Sequence, residues 1–244
     1  MALFDAHLTK LLDFLDGKRK EGRVLETIHP GTTNWPASFR RNLVLSSDTA
    51  VELGHPKTAS SSFFLWTDNM ARVKPGRITI VGPDLPQVRE RRIPFGRIVL
   101  LAGKDFNEKN SFDRHRELEH LRYDIHLKGY MMRAVSQYQR EWSRISKEAI
   151  AEGFSFQTLG GALIDTYSMP DYIRAVEVIF ITAGPDDVRE VASIGAGVLK
   201  IISAMNKMAS ELSLDCETCE YNEVCREVAE LSAMRRSLGK DRAV

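Results

Sequence analysis

Apolar positions Leu3, Phe4, Leu8, Leu11, Leu12 and Leu15 recur at helical spacing, so residues 3–16 are expected to form an amphipathic helix ended by Gly17. A basic stretch, residues 18–23, then leads to the turn-rich His29-Pro30-Gly31 and Asn34-Trp35-Pro36, which read as an arm. Short apolar runs bounded by Gly, Pro or Asp follow at residues 43–45 continuing to 51–53, 63–67, 78–81 and 98–101, as strands should. From residue 111 to 152 almost no breaker occurs except Gly129, and the pattern reads as helical, capped by Asn110 or Ser111 and terminated by Gly153. Residues 157–167 read as another helix, 176–182 as the most apolar strand, 186–212 as a long helix and 224–238 as a short one. Strands early and helices late give an α+β class: a mostly antiparallel sheet packed with helices, and a helical C-terminal metal-binding extension. The expected segments are an N-terminal helix and arm (1–33), an α+β domain (34–184), and a long helix with a cysteine segment (185–244).

Composition adds little except through cysteine. Hydrophobic residues at 43% and charged residues at 27%, with a net charge of +1, suit a soluble globular chain and point to neither nucleic acid nor a membrane surface. No apolar run is long enough to span a bilayer, and Asp5, Asp13 and Asp16 interrupt the N-terminal stretch where a secretory signal would be apolar, so a cytoplasmic location is expected. The chain has 3 cysteines, all close together near the C-terminus. An odd, clustered set in a cytosolic chain points to metal or redox chemistry rather than a disulfide scaffold.

Cys216, Cys219 and Cys225 are spaced C-x2-C-x5-C, with a turn expected at Glu220-Tyr221-Asn222 to bring the third thiolate back to the first two. That spacing suits three corners of a [4Fe–4S] cluster. Zinc is the runner-up and wants a fourth ligand, yet the nearest histidines upstream, His120 and His126, lie far away along the chain and group with His115 as surface or core residues. A fourth ligand could instead be Asp215, Glu217, Glu220 or Glu223, a partner chain, water or substrate. The bland alternative is three buried or free cysteines.

Several segments resemble the middle domain of acetyl-CoA synthase, the nickel enzyme subunit of carbon monoxide dehydrogenase complexes. They are Val51-Glu52-Leu53-Gly54, Ile80-Val81-Gly82-Pro83-Asp84-Leu85, Pro94-Phe95-Gly96-Arg97-Ile98-Val99, Trp142-Ser143-Arg144-Ile145-Ser146-Lys147, Gly153-Phe154 and Val178-Ile179-Phe180-Ile181-Thr182, in the family's order from about Trp35 to Cys225. The resemblance places the cysteines where the family's nickel–iron–sulfur cluster begins, with a shorter second spacing and without the later Cys and the Cys-Gly-Cys that hold the rest of it. It implies that the chain alone does not assemble acetyl-CoA. It also implies that coenzyme A approaches Trp142 and Arg144, although Tyr138 stands where the family has an arginine.

Arg89, Arg91, Arg92 and Arg97 form a basic run that could receive phosphates or be a solvated loop. Gly195-Ala196-Gly197 lacks the context of a phosphate loop and reads as a close helix approach, and Ser60-Ser61-Ser62 lacks a base for nucleophilic chemistry. The leading expectation is an accessory iron–sulfur protein of anaerobic one-carbon metabolism, transferring electrons or supporting a metallocentre beside a carbon monoxide dehydrogenase, a corrinoid protein or another low-potential enzyme. The alternatives are a coenzyme A-binding or protein-docking module with a structural metal, and an enzyme whose open cluster corner binds substrate. The apolar stripe Val228, Leu231 and Met234 either covers the metal against another chain, a second copy included, or folds back on its own domain.

Overall fold

The most apolar runs of the chain form the centre of a five-stranded sheet in a computed structural model that describes residues 3–38, 42–107, 109–136, 138–210 and 219–234. In chain order the elements are α1 (Asp5–Lys20), β1 (Val24–Ile28), β2 (Thr49–Leu53), β3 (Ser60–Thr67), β4 (Arg77–Val81), β5 (Arg92–Ile93), β6 (Phe95–Gly103), α2 (Ser111–Leu121), β7 (Tyr130–Ser136), β8 (Arg140–Ser146), α3 (Lys147–Ala151), α4 (Phe156–Tyr167), β9 (Ile173–Ile181), α5 (Pro185–Ser210) and α6 (Asn222–Glu227). The large sheet runs β1-β4-β9-β6-β3, and a four-stranded sheet runs β5-β2-β8-β7.

The class is α+β, but both sheets are mixed rather than mostly antiparallel. β3 lies parallel to β6, β4 to β9 and β5 to β2, while the remaining pairs are antiparallel. Every residue of β3 and β6 is buried, which is the signature of strands covered on both faces. α5 packs against β3, and α4 packs against β9. α1 then lies on α5, where a side chain at Gly197 would collide with the His7 ring, so the small residues serve a close helix approach. Gly54, which ends β2 at φ 62°, is tight for a similar reason: a Cβ there would sit 2.7 Å from Ser60 Oγ.

Four local expectations are corrected. α1 continues through Gly17 to Lys20, because an interior glycine costs only about 1 kcal/mol and Lys18 is anchored to Asp187 of α5 at 2.8 Å. Part of the expected arm is β1, an edge strand whose mostly exposed side chains hide its periodicity. Residues 43–45 form no strand: Leu43 and Leu45 are exposed, and only Val44 is buried. The expected long helix of residues 111–152 is α2 followed by a β7–β8 hairpin and the short α3. β8 points Glu141, Ser143 and Ile145 inward and Trp142 and Arg144 outward, so its alternation is real, but two of its inward residues are polar. Hydrophobicity alone does not register such a strand.

One hydrophobic cluster runs from Leu3 to Met234 and takes in residues from all three expected segments. After α5 the chain folds back: α6 packs on α5, and Cys225, Leu231 and Met234 are buried in that cluster with Val228 packed against it. The stripe that needed a partner therefore finds it within this chain. Among the described residues no helix is long and apolar enough to cross a membrane.

Candidate functional site

The outward face of the four-stranded sheet gathers several arginines around one indole. Because side chains alternate along a strand, Trp142 and Arg144 share a face of β8. Across the sheet Arg144 pairs with Glu52 of β2 and Met131 of β7, and Glu52 pairs with Arg92 of β5. Glu52, 1% exposed, accepts from Arg144 Nε at 3.0 Å and from Arg92 Nε at 3.0 Å. Burial alone would raise its pKa, but the Arg92 hydrogen bond and the Arg144 charge outweigh burial and hold the carboxyl below its ordinary value. Glu52 thus holds two guanidinium groups, of which that of Arg144 lies beside the indole.

The Trp142 ring is enclosed on several sides. The Arg133 guanidinium lies 4.9 Å from the ring and that of Arg144 5.4 Å, while His55 meets it edge-on at 5.2 Å. Burial, and then the Arg92 charge, lower the His55 pKa, so at neutral pH its contact with Glu52 at 3.7 Å is not an ion pair. Trp142 Nε1 is buried and has no hydrogen-bond partner among the described residues. Arginines in fixed positions suit phosphate oxygens, and an indole with a spare N–H suits a flat heteroaromatic ring.

Of the basic run, only Arg92 joins this face. Arg89 donates to the Pro86 carbonyl and Arg91 to Ser46, while Arg97 is 3% exposed and pairs internally with Glu141 at 2.6 Å. Tyr138 sits at the β7–β8 turn and lines a different cavity, with His115 and Arg122. The sequence reading did not single out Glu52, His55 and Arg133 as site residues; burial alternates along β8 but not along β7, where the register shifts between Met132 and Ala134, so no local signal marks Arg133. Beneath Trp142, Glu141 accepts from Ser62, Tyr130 and Ser143, and burial pushes the Tyr130 phenol above its ordinary pKa. The Ser60 and Ser62 hydroxyls are engaged in this structural network.

The cysteine segment lies apart in sequence and rests on α5. Cys216 falls outside the described residues. The Asn222 N–H donates to the Cys219 carbonyl at 3.0 Å, which makes the expected return turn. Cys219 is half-buried and Cys225, on α6, is buried, and neither forms a disulfide. Among the candidate carboxylates, Glu220 lies 3.7 Å from Lys207 Nζ, and Asp215 and Glu217 are outside the described residues. No group of three His, Cys, Asp or Glu side chains is assembled among the described residues. Cys219 and Cys225 thus lie on either side of the turn.

Residues 33–188, more than half of the chain, match the family model described as CO dehydrogenase/acetyl-CoA synthase complex beta subunit. The chain is 30% identical over 142 residues to the acetyl-CoA decarbonylase/synthase complex subunit beta of Methanopyrus kandleri, covering 57% of this chain and 29% of that one. It is 27% identical over 152 residues to the carbon monoxide dehydrogenase/acetyl-CoA synthase subunit alpha of Moorella thermoacetica, covering 61% and 20%. To subunit beta 1 of the Methanosarcina thermophila acetyl-CoA decarbonylase/synthase complex the identity is 25% over 189 residues, covering 75% and 39%. The matched stretches therefore span about a fifth to two fifths of these curated relatives.

Proposed function

This chain belongs to the CO dehydrogenase/acetyl-CoA synthase complex beta subunit family, and we propose that its Trp142 face binds coenzyme A within a complex of that kind. The observation that carries this reading is the Trp142 indole, with the Arg133 and Arg144 guanidiniums over its ring and a buried N–H that has no hydrogen-bond partner among the described residues. Coenzyme A combines an adenine ring with three phosphate groups, and the face offers both recognition elements. The indole stacks on or donates to the adenine, and Arg133 and Arg144 receive phosphate oxygens while Glu52 keeps Arg144 oriented. The names of the relatives, which carry acetyl-CoA in their titles, support the same ligand.

Calorimetric titration of the full chain with coenzyme A tests this. Trp142→Leu should weaken binding by roughly tenfold or more, since stacking on an aromatic side chain is worth about 1–3 kcal/mol. A wild-type chain that gives no heat with coenzyme A, or a variant that binds equally well, refutes the assignment.

A second reading rests on Cys219 and Cys225 flanking a return turn. In it Cys216, Cys219 and Cys225 hold a [4Fe–4S] cluster, which would supply one-electron transfer, and the chain acts as an accessory protein of anaerobic one-carbon metabolism. Carbon monoxide dehydrogenase or a corrinoid protein would be its neighbour. Anaerobically prepared protein should then carry iron and acid-labile sulfide, and Cys219→Ser should lose most of both. Stoichiometric zinc without sulfide sinks the cluster.

A further inference from the structure

A cavity apart from the Trp142 face lies where α2, α5, β3 and the β7–β8 turn meet. It encloses about 390 Å³, within the range of small-molecule sites. Its charged group is Arg122, in the turn after α2, only 6% exposed. Arg122 Nε is buried without a hydrogen-bond partner among the described residues, and the Glu119 carboxylate approaches Nη2 only to 3.6 Å. Glu119 is itself half exposed, so water screens that weak pairing.

A buried guanidinium with incomplete pairing is expensive, and an anion that enters the cavity supplies the missing hydrogen bonds. A second unsatisfied group lines the cavity: His115, 3% exposed, has its Nδ1 buried without a partner among the described residues. Burial and the Arg122 charge hold that ring neutral, so Arg122 is the one cation among the described lining residues, with the Glu119 carboxylate beside it. Glu119 opposes a doubly charged guest. The apolar part of the wall is the Phe64 ring, stacked on His115 at 4.9 Å, together with Leu199 and Ile202 of α5, while Ser136, Gln139, Ser203 and Asn206 add polar groups.

We propose that this cavity binds a small monocarboxylate, its carboxylate on Arg122 and its hydrocarbon part against Phe64, Leu199 and Ile202. The fork of a guanidinium matches a carboxylate in two hydrogen bonds, and His115 Nδ1 adds a polar contact beside it.

The test is calorimetric titration of the full chain with acetate, butyrate, hexanoate and inorganic phosphate. Saturable binding of at least one carboxylate is expected, tighter than phosphate, and weakened at least tenfold by Arg122→Gln in protein whose circular dichroism is unchanged. Leu199→Trp, which fills the cavity from the opposite wall without altering charge, should abolish binding as well and guards against a folding defect at Arg122. Absence of saturable carboxylate binding to the wild type, tighter binding of phosphate, or full affinity in both variants overturns the proposal.

Discussion

Glu141→Ala should cost about 3–5 kcal/mol of stability, the penalty typical of leaving a buried charge without its partner. The Glu141 side chain is fully buried, and its carboxylate accepts from Arg97 at 2.6 Å, Ser143 at 2.9 Å, Ser62 at 3.0 Å and Tyr130 at 3.2 Å. Arg97 belongs to β6 of the large sheet and Glu141 to β8 of the small one, so the pair joins the two layers. Truncation would strand the Arg97 guanidinium, one of whose nitrogens already lacks a partner among the described residues, and would remove the acceptor of three hydroxyls. Denaturant unfolding measures the loss, and a double variant, Arg97→Met with Glu141→Leu, should recover much of it because neither charge is then buried. A single variant within about 1 kcal/mol of wild type would show that the pair does not hold the sheets together. Glu141 adjoins Trp142 on β8, so the same substitution should also weaken binding on the outward face.

Acidification should destabilise the protein well before its surface carboxylates titrate, with His115 as the largest single cause. Burial, aided by the Arg122 charge, lowers the His115 pKa from 6.5 to about 3. The unfolded chain therefore takes up a proton near pH 6.5 that the folded chain refuses until about pH 3. The stability tied to this group is complete above the upper value and falls as pH drops towards the lower one, by up to about 1.4 kcal/mol per pH unit. His7, whose pKa burial also lowers, adds to the slope in the same direction. Glu52, held low by Arg92 and Arg144, extends it into the carboxylate range. Unfolding midpoints between neutral and mildly acidic pH give the slope. His115→Phe preserves a ring against Phe64 and Trp66, where His115 now lies at 4.9 and 5.6 Å, and should flatten it markedly. An unchanged slope in that variant would remove His115 from the account.

How much of this was legible beforehand differs from element to element. The spacing of Val188, Val191, Ile194, Val198, Ile201 and Met205 marks a helix with one buried face, and α5 buries all six. The apolar runs at β3, β6 and β9 likewise announce strands. Trp142 and Arg144 were singled out through a family resemblance, yet in a segment read as helix, so their cross-strand partners stayed hidden. Glu52 lies 92 residues from Arg144 along the chain, and no local pattern carries a contact of that range.

The sequence by itself determined the α+β class, most of the strong helices and strands, and the family. Those properties follow from side-chain periodicity and from motifs, which are local. Only the tertiary structure decided that the sheets are mixed, that Arg97 leaves the basic run for the interior, that the C-terminal stripe folds onto its own chain, and that Arg122 faces a cavity with too few partners. Strand direction and side-chain pairing depend on which distant segments meet. That choice is made by burying apolar surface and satisfying buried charges across the whole chain at once.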